Sequence, residues 1–311
     1  MAQSNTTVSF FERLFFKPRF FDWGIIFLLS PLSLLYGILM LLRRVFSIKT
    51  KYKIPIISVG NLTVGGSGKT PFVIALASRY DNVFIISRGY GRESKGVVEV
   101  SSKGKVLVDV FASGDEPMLM ATSLKSASVI VSENREVAIE LALKKGAKVI
   151  ILDDGFNRVN IKKFEILLFP ESIKNYMTFP AGAFREFYFS KYFADVSLYE
   201  NREFQREVNI KDKTPKMFLV TAISNPARLE PFLPNNIVGK YLLEDHAYFD
   251  ENLLKEKMER LGATSLLVTQ KDEVKMQGFQ LPLSVMQLEL QIKNEILEKI
   301  DNYVGESSNE K

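Results

Sequence analysis

The chain has 311 residues, of which 46% are hydrophobic, and it carries a formal net charge of +5 with a pI near 9.1. This length accommodates one large or two ordinary domains, and the apolar content permits a sizeable core. The chain has no cysteine, which excludes a disulfide framework and a thiolate metal site within it. The basic balance favours anionic partners such as membrane headgroups, phosphorylated substrates or nucleic acid, without choosing among them.

The N-terminal part of the chain predicts an association with membranes. Residues 23–42 carry no charged side chain, and a helix of twenty residues measures about 30 Å, enough to cross the apolar part of a bilayer. Basic residues flank both ends, with Arg43 and Arg44 directly after the segment. Two membrane interpretations therefore stay open, a spanning helix and a helix lying in the interface. A buried core helix is the alternative without a membrane.

A cleaved signal peptide is disfavoured, because the apolar segment starts late, is long and lacks a cleavage site of small residues. We expect a membrane-associated segment at residues 1–53. The remainder of the chain is expected in the cytoplasm, where nucleotides are found, at the level of the lipid headgroups.

Short apolar runs alternate with helical stretches from residue 54 onward. The runs predict strands at residues 54–59, 82–87, 128–132, 148–152 and 165–169. The intervening stretches predict helices at residues 71–79, 117–124 and 134–145. Such alternation indicates a mostly parallel sheet with helices on both faces.

A dense mixture of charges at residues 200–216 predicts a boundary or linker. We therefore expect a nucleotide-binding domain at residues 54–206 and a smaller C-terminal α/β domain at residues 207–311. The smaller domain has three predicted strands and one predicted helix, at residues 217–221, 237–242, 265–269 and 251–261.

A glycine-rich segment between the first predicted strand and the first predicted helix is typical of a phosphate-binding loop. It reads Thr63-Val64-Gly65-Gly66-Ser67-Gly68-Lys69-Thr70. In such a loop, backbone N–H groups surround the phosphates, the lysine neutralises the β- and γ-phosphates, and the threonine hydroxyl binds Mg²⁺. The strict pattern has glycine at the place of Thr63, and a flexible glycine turn is the alternative interpretation.

Two carboxylates end the predicted strand at residues 148–152. Asp153 and Asp154 precede Gly155, and a phosphate loop needs a metal-holding acid at the end of a nearby strand. The carboxyl ends of parallel strands lie on one side of a sheet, where the phosphates bind. The alternative is a pair of solvated acids in a turn.

Further candidates lie in three loops. Asp115 and Glu116 open a helix, where acids usually serve as caps but can also act as a base on an acceptor hydroxyl. His246 is the only histidine in the chain, with Asp245 beside it to orient the ring. The loop at residues 87–92 offers two guanidinium groups suited to a phosphate or a sugar.

Two other nucleotide-binding classes find no support. A GTPase would carry Asn/Thr-Lys-x-Asp, whereas Thr269-Gln270-Lys271-Asp272 has lysine directly beside aspartate. Partitioning and arsenite-type ATPases carry an extra lysine early in the loop, where this chain has Val64.

The motifs taken together resemble those of the tetraacyldisaccharide 4'-kinase family, the lipid A 4'-kinases of Gram-negative bacteria. The resemblance runs in family order from about residue 54 to residue 275, and threonine at position 63 is itself usual in the family. It rests on residues 59–71, Ser87-Arg88-Gly89-Tyr90, Gly114-Asp115-Glu116-Pro117, Asp153-Asp154-Gly155-Phe156, Pro180-Ala181-Gly182, Arg185-Glu186, Asp245-His246 and residues 269–272. Asn157 and Arg158 stand where the family usually has Gln-His, and Gln270 replaces a glutamate.

The resemblance implies site residues for MgATP and a sugar acceptor. Asp115 and His246 would act as the pair that activates the sugar hydroxyl, which replaces the capping role for Asp115, and Lys69 would stabilise the transferring phosphate. Thr70 with one or both of Asp153 and Asp154 would hold Mg²⁺. Residues 63–70 would bind ATP. Four supporting groups for the substrate would be Arg88, Tyr90, Arg185 and Glu186, while residues 269–272 receive no catalytic role.

The implied reaction transfers the γ-phosphate of ATP to the 4'-hydroxyl of an acylated glucosamine disaccharide 1-phosphate. We accordingly expect this glycolipid and a membrane as partners, with no nucleic acid. The expected location is the inner membrane, with the active site on its cytoplasmic face. The alternatives are a membrane-associated P-loop ATPase that couples hydrolysis to assembly or transport, and a nonenzymatic nucleotide-sensing scaffold.

Overall fold

The structure is a computed structural model that describes residues 6–64 and 68–309, with side chains for residues 10–64 and 68–307. Its helices of more than one turn are α1 Thr6–Phe16, α2 Asp22–Val45, α3 Lys69–Ala77, α5 Asp115–Ser123, α6 Arg135–Lys144, α7 Glu251–Leu261 and α9 Asn294–Asn309, with the short helices α4 Val110–Ser113 and α8 Gln270–Glu273 between them.

The larger sheet has eight strands in the order β4-β3-β5-β2-β6-β1-β7-β8. All neighbours pair in parallel except β3, which is antiparallel to both β4 and β5. The strands are β1 Ile56–Gly60, β2 Val83–Ser87, β3 Val98–Ser102, β4 Lys105–Val106, β5 Ser128–Val131, β6 Val149–Asp153, β7 Phe164–Phe169 and β8 Val196–Tyr199.

Helices cover both faces of this sheet, which confirms the fold class predicted from the alternating pattern. Helices α3 and α5 pack with β1, β2 and β6 in one buried apolar cluster, and α6 packs in a second cluster on the other face. The central strands are buried on both faces, which explains why they are continuous apolar runs and not alternating ones.

A smaller five-stranded sheet follows in the order β11-β10-β12-β13-β9. Its strands are β9 Phe204–Lys211, β10 Met217–Thr221, β11 Ile237–Leu242, β12 Ser265–Thr269 and β13 Leu283–Ile292. Its strands pair in parallel except for β9, which runs antiparallel to β13.

The interpretation of residues 200–216 as a linker is wrong, because they contain strand β9. Its side chains alternate between more and less exposed positions, so the strand buries only one face and is polar overall. The expected boundary at residue 206 falls inside β9. In addition, α9 returns to the larger sheet, where Ile300 is buried and Tyr303 donates a hydrogen bond to the carbonyl oxygen of Ile56. The division of the chain into domains therefore stays a prediction.

Helix α2 is long and apolar enough to cross a membrane by length and composition alone. One stripe along it is buried against the body of the protein, and most of its other large apolar side chains are exposed. Ser33 Oγ lies 2.7 Å from the carbonyl oxygen of Thr178. Arg44 donates two hydrogen bonds to the Glu186 carboxylate, at 2.6 and 2.7 Å. The helix is therefore fixed to the larger unit along much of its length.

Candidate active site

The phosphate-loop lysine lies where the sequence predicts it. Strand β1 ends at Gly60, and Lys69 opens α3 after Gly68, whose φ of +79° favours glycine. Lys69 Nζ donates a hydrogen bond to Asn61 Oδ1 at 3.1 Å and lies 3.6 Å from Asp154 Oδ1. The ammonium group therefore points to the carboxyl ends of the strands.

Some of the other members of the predicted loop are among the described residues and others are not. The Val64 N–H donates to the carbonyl oxygen of Ala183 at 2.9 Å, while Thr63 and Thr70 are buried. The predicted phosphate-binding residues Gly65, Gly66 and Ser67 lie outside the described residues.

Asp153 is a buried carboxylate with one unused oxygen. It ends β6, directly beside Val59 of β1. Its Oδ2 accepts a hydrogen bond from Ser87 Oγ at 2.8 Å, whereas Oδ1 has no hydrogen-bond partner among the described residues. The pKa of Asp153 is raised to about 6, mainly because the group is buried and secondly because of the negative charge of Glu116. Such a group gains from a cation placed beside it.

Asp154 has cationic neighbours instead. Its Oδ2 lies 3.0 Å from Arg185 Nη1, and its Oδ1 faces Lys69. Burial acts to raise the pKa of Asp154, but the charges of Lys69 and Arg185 prevail and lower it. Asp154 therefore organises two cations at the site.

The predicted Asp–His pair is formed between a residue of the larger unit and a residue of the smaller unit. Asp115 begins α5 on the larger unit, and His246 follows β11 on the smaller one. His246 Nδ1 lies 2.9 Å from both carboxylate oxygens of Asp115. An ionised carboxylate only accepts hydrogen bonds, so Nδ1 donates to Asp115. The other ring nitrogen, Nε2, lies 3.5 Å from Asp245 Oδ2 and is the one that remains for a hydroxyl group.

The environment of Asp115 stabilises its charged form. Burial acts to raise its pKa, but the hydrogen bond from His246 and the charges of Lys271 and Lys275 lower the pKa to about 2. An acid this strong is poorly matched to remove a proton near neutral pH. The geometry therefore favours Asp115 as the group that orients the imidazole.

Lys271 is a further residue of the site, to which the sequence motifs assign no role. Its Nζ lies 3.3 Å from Asp245 Oδ1, 3.8 Å from Glu116 Oε1 and 3.9 Å from Asp115 Oδ2. Burial acts to lower its pKa, but the three carboxylates raise it. In its segment Gln270 replaces the glutamate that is usual in the family, but the lysine is retained, and that retained lysine is the sequence signal for its presence at the site.

Asp272, the next residue, has a structural role. Its carboxylate accepts hydrogen bonds from Thr221 Oγ1 at 2.6 Å and from the Ala222 N–H at 3.1 Å, and it is fully buried. These bonds connect the ends of β10 and β12, and the Ala222 carbonyl oxygen accepts a hydrogen bond from the His246 N–H. Asp272 thus helps to fix the loop that presents His246.

The four predicted substrate-contacting residues differ in their surroundings. The ring of Tyr90 is exposed and lies 5.3 Å from the His246 ring, and Arg88 is also exposed. Arg185 contacts Asp154. Glu186 is buried, and both its carboxylate oxygens accept hydrogen bonds from Arg44. The contact that the structure supports for Glu186 is therefore with α2, and its direct contact with a substrate stays a prediction.

A cleft separates the phosphate-loop side from the smaller sheet. Lys69, Thr70 and Glu116 line one wall, and the opposite wall includes Arg206 and Lys271. A β-carbon at position 68 would lie 2.6 Å from the Arg206 guanidinium, so the smaller unit closely approaches the loop. The cleft also has apolar walls from both units, at Ile74, Leu119, Phe232 and Leu288. It combines the polar and apolar surfaces that a nucleotide requires.

The residues present fit a magnesium ion held partly by a nucleotide. The described residues contain no group of three or more acidic or histidine side chains that could hold a metal. Mg²⁺ in phosphoryl-transfer sites is usually held by one or two carboxylates together with substrate phosphates. Thr70 and Glu116 line the cleft, and the free Oδ1 of Asp153 lies in the field of Glu116.

These features define a class of protein. A parallel sheet with a phosphate-loop lysine, buried acids and an Asp–His pair across a cleft is the arrangement of a P-loop-type phosphotransferase.

Comparisons with known proteins identify the family. A family model described as "Tetraacyldisaccharide-1-P 4'-kinase" matches residues 25–214 and 191–305. The chain is 49% identical to the tetraacyldisaccharide 4'-kinase of Helicobacter pylori (strain HPAG1), with 95% of each chain covered. It is 43% identical to that of Aliarcobacter butzleri (strain RM4018), with 94% of this chain and 96% of the relative covered. The chain belongs to the tetraacyldisaccharide 4'-kinase family.

A solved structure agrees with this assignment. The "apo" form of LpxK from Aquifex aeolicus in complex with ATP has a TM-score of 0.77 and 29% sequence identity, and the match covers 91% of this chain and 99% of that chain. The predicted family and fold are thereby confirmed.

Proposed function

We propose that this protein is an ATP-dependent kinase that phosphorylates the 4'-hydroxyl of a tetraacylated glucosamine disaccharide 1-phosphate in lipid A biosynthesis. The observation that carries the proposal is the Asp115–His246 pair, which joins the two units beside two residues of the cleft wall, Glu116 and Lys271. A hydrolase needs only to position water, whereas a kinase must also activate an acceptor hydroxyl.

The proposed chemistry assigns one task to each group. His246 Nε2 accepts the proton of the sugar hydroxyl, while Asp115 holds the ring by its Nδ1–H. Lys69 stabilises the negative charge on the transferring phosphoryl group. Magnesium, when bound, supplies positive charge at the phosphate oxygens. Thr70, Asp153 and Glu116 are the residues proposed to hold it.

Asp154 was the other predicted metal ligand. We propose that it instead keeps Lys69 and Arg185 in position, because both of its oxygens face these cations. Arg88 and Tyr90 are proposed to contact the acceptor, since Tyr90 adjoins His246 and both side chains are exposed.

We further propose that the protein acts at the cytoplasmic face of the inner membrane, with α2 in the interface. The buried contacts of α2 extend from Ile26 to Arg44. A bilayer-spanning orientation would bring the polar partners of Ser33 and Arg44 into the hydrocarbon region, where exposed backbone is costly. A helix lying in the interface keeps these contacts and presents its exposed apolar side chains to lipid.

Incubation with γ-labelled ATP and the disaccharide 1-phosphate tests the function. Label is expected in the lipid with the native protein and with Lys255→Ala, which changes an exposed lysine on α7. Lys69→Ala should fold and bring transfer below detection. Rapid ATP hydrolysis with no labelled lipid would support the alternative, an ATPase coupled to assembly or transport.

A further inference from the structure

A second apolar surface lies next to α2. The segment at residues 176–193, here named the aromatic segment, contains a short 3₁₀ helix at Tyr188–Phe193. Five of its rings are substantially exposed, and Tyr192 reaches 81% exposure. They are Tyr176, Phe179, Phe189, Tyr192 and Phe193. Such a concentration of exposed rings marks a surface that contacts something else.

The aromatic segment is attached to α2 by buried contacts. The Tyr36 and Phe179 rings lie 5.9 Å apart, and Arg44 lies 5.8 Å from the ring of Phe193. A β-carbon at Gly37 would lie 2.4 Å from the ring of Phe187, so the helix and the segment touch closely there. With the Arg44–Glu186 ion pair, these contacts make α2 and the aromatic segment one rigid surface.

The composition of this surface matches a bilayer interface. Tyrosine and phenylalanine rings stand beside cations, because Lys191 Nζ lies 5.4 Å from the Tyr192 ring, and Arg43 and Lys49 follow the apolar part of α2. Aromatic rings with adjacent basic groups are enriched at the level of lipid headgroups. Continuity with the uncharged residues 23–42 favours lipid over a protein partner for this surface.

We propose that the aromatic segment is a second membrane-contacting element, which together with α2 sets the orientation of the protein on the bilayer. The inference rests on the proposed function as a membrane-bound glycolipid kinase. The same segment carries Arg185, which holds Asp154 at 3.0 Å. Contact of the rings with lipid thus fixes the position of Asp154, and of Lys69 beside it, relative to the headgroups.

The single tryptophan of the chain, Trp23 in α2, permits a direct test. In the full chain, Trp23→Phe is combined with Tyr192→Trp, and fluorescence is measured with phosphatidylethanolamine–phosphatidylglycerol vesicles brominated at shallow or deep acyl positions. We expect roughly twofold quenching by shallow bromines and less by deep ones, because interfacial groups lie about 5–10 Å into the headgroup–acyl boundary. The matched control is Trp23→Phe with Tyr241→Trp, on edge strand β11 of the smaller sheet, which should not be quenched.

The outcomes separate this inference from the proposed function. If the Tyr192→Trp variant shows no change with vesicles while native Trp23 is quenched, α2 alone contacts lipid and the inference is wrong. If neither protein is quenched, the membrane association itself fails. If the Tyr192→Trp variant is quenched but no label enters the glycolipid, contact of the aromatic segment with lipid is supported and the proposed kinase function is contradicted.

A second variant measures the consequence for catalysis. Phe189→Ser with Tyr192→Ser removes two exposed rings, of which Phe189 also stacks on Phe187, and it leaves the buried Ser33–Thr178 and Arg44–Glu186 contacts in place. We expect roughly tenfold weaker partition into vesicles, in proportion to the apolar area lost, with an unchanged rate on substrate dispersed in detergent. Unchanged partition would overturn the inference.

Discussion

The hydrogen bond between His246 and Asp115 allows one substitution to test the proposed pair. Asp115→Asn preserves the shape of the side chain but removes the charge that keeps the proton on Nδ1. The asparagine N–H can donate to Nδ1 and thereby favour the tautomer protonated at Nε2. That tautomer has no acceptor nitrogen for the sugar hydroxyl.

The expected loss of activity in Asp115→Asn can be given a size. The pKa of Asp115 falls from 3.8 to about 2, which corresponds to about 2 kcal/mol of interaction between the carboxylate and its cationic surroundings. Positioned general bases contribute about 10²–10⁴-fold, and placing a proton on the wrong ring nitrogen forfeits most of that. We expect kcat for lipid phosphorylation to fall by about 10³-fold.

Separate measurements of kcat and of the affinity for ATP test the proposed pair. The affinity for ATP should change less than about threefold, because neither residue lines the nucleotide cleft. His246→Ala with Asp115→Asn should be little worse than His246→Ala alone, since residues acting as a unit are not additive. Asp109→Asn, which changes the cap of the nearby helix α4, is the matched control. Near-normal turnover by Asp115→Asn at saturating substrates would refute the pair.

Three further outcomes are expected. Lys271→Met should lower kcat by about 10²-fold, because it removes a cation from between Asp115 and Glu116, and it should weaken ATP binding by a smaller factor, because Lys271 also lines the cleft; an unchanged kcat would contradict this. Above pH 4 the native protein should exceed Asp115→Asn in free energy of unfolding by about 2 kcal/mol, and the difference should vanish as the pH falls towards 2, because a lowered carboxyl pKa stabilises the fold only where the group is ionised. Glu186→Ala should destabilise the protein by about 3–5 kcal/mol in denaturant titrations, since Arg44 loses its buried partner; an unchanged midpoint would exclude that role.

Much of the smaller unit could be predicted from local sequence. The strands at Met217–Thr221, Ile237–Leu242 and Ser265–Thr269, and the helix at Glu251–Leu261, agree with the predicted bounds. Each is a short apolar run or an amphipathic stretch between turn residues, so the signal lies within the element itself. The position of Lys69 at the start of a helix could be predicted for the same reason.

Strands β9 and β13 could not be predicted in this way. They pair with each other over eight residue pairs from Lys211 with Val285 to Phe204 with Ile292, and each buries only part of its surface. Their stability depends on cross-strand contacts between residues about 75–90 positions apart, which no local pattern encodes.

The roles of Lys271 and Glu186 depend equally on distant residues. Lys271 meets Asp115 from another part of the chain, and Glu186 meets Arg44 across 142 positions. A sequence motif places such residues near a site but does not reveal which partner each one takes. For Glu186, the motif suggested a substrate contact, and the fold provides an ion pair with α2.

The charged residues of the proposed site are divided between the two units. Asp115 and Glu116 lie on the larger unit, whereas His246, Lys271 and Lys275 lie on the smaller one, so the catalytic pair exists only when the units meet. A phosphate loop alone can bind ATP, whereas His246, the proposed base, comes from the smaller unit. Lys271 lines the cleft and also lies 3.9 Å from Asp115 Oδ2, so the contact between the units that forms the proposed pair also contributes to the cleft wall. A proposed base that is in place only where the two units meet would favour transfer to a sugar over hydrolysis of ATP, which is the behaviour that separates a kinase from an ATPase.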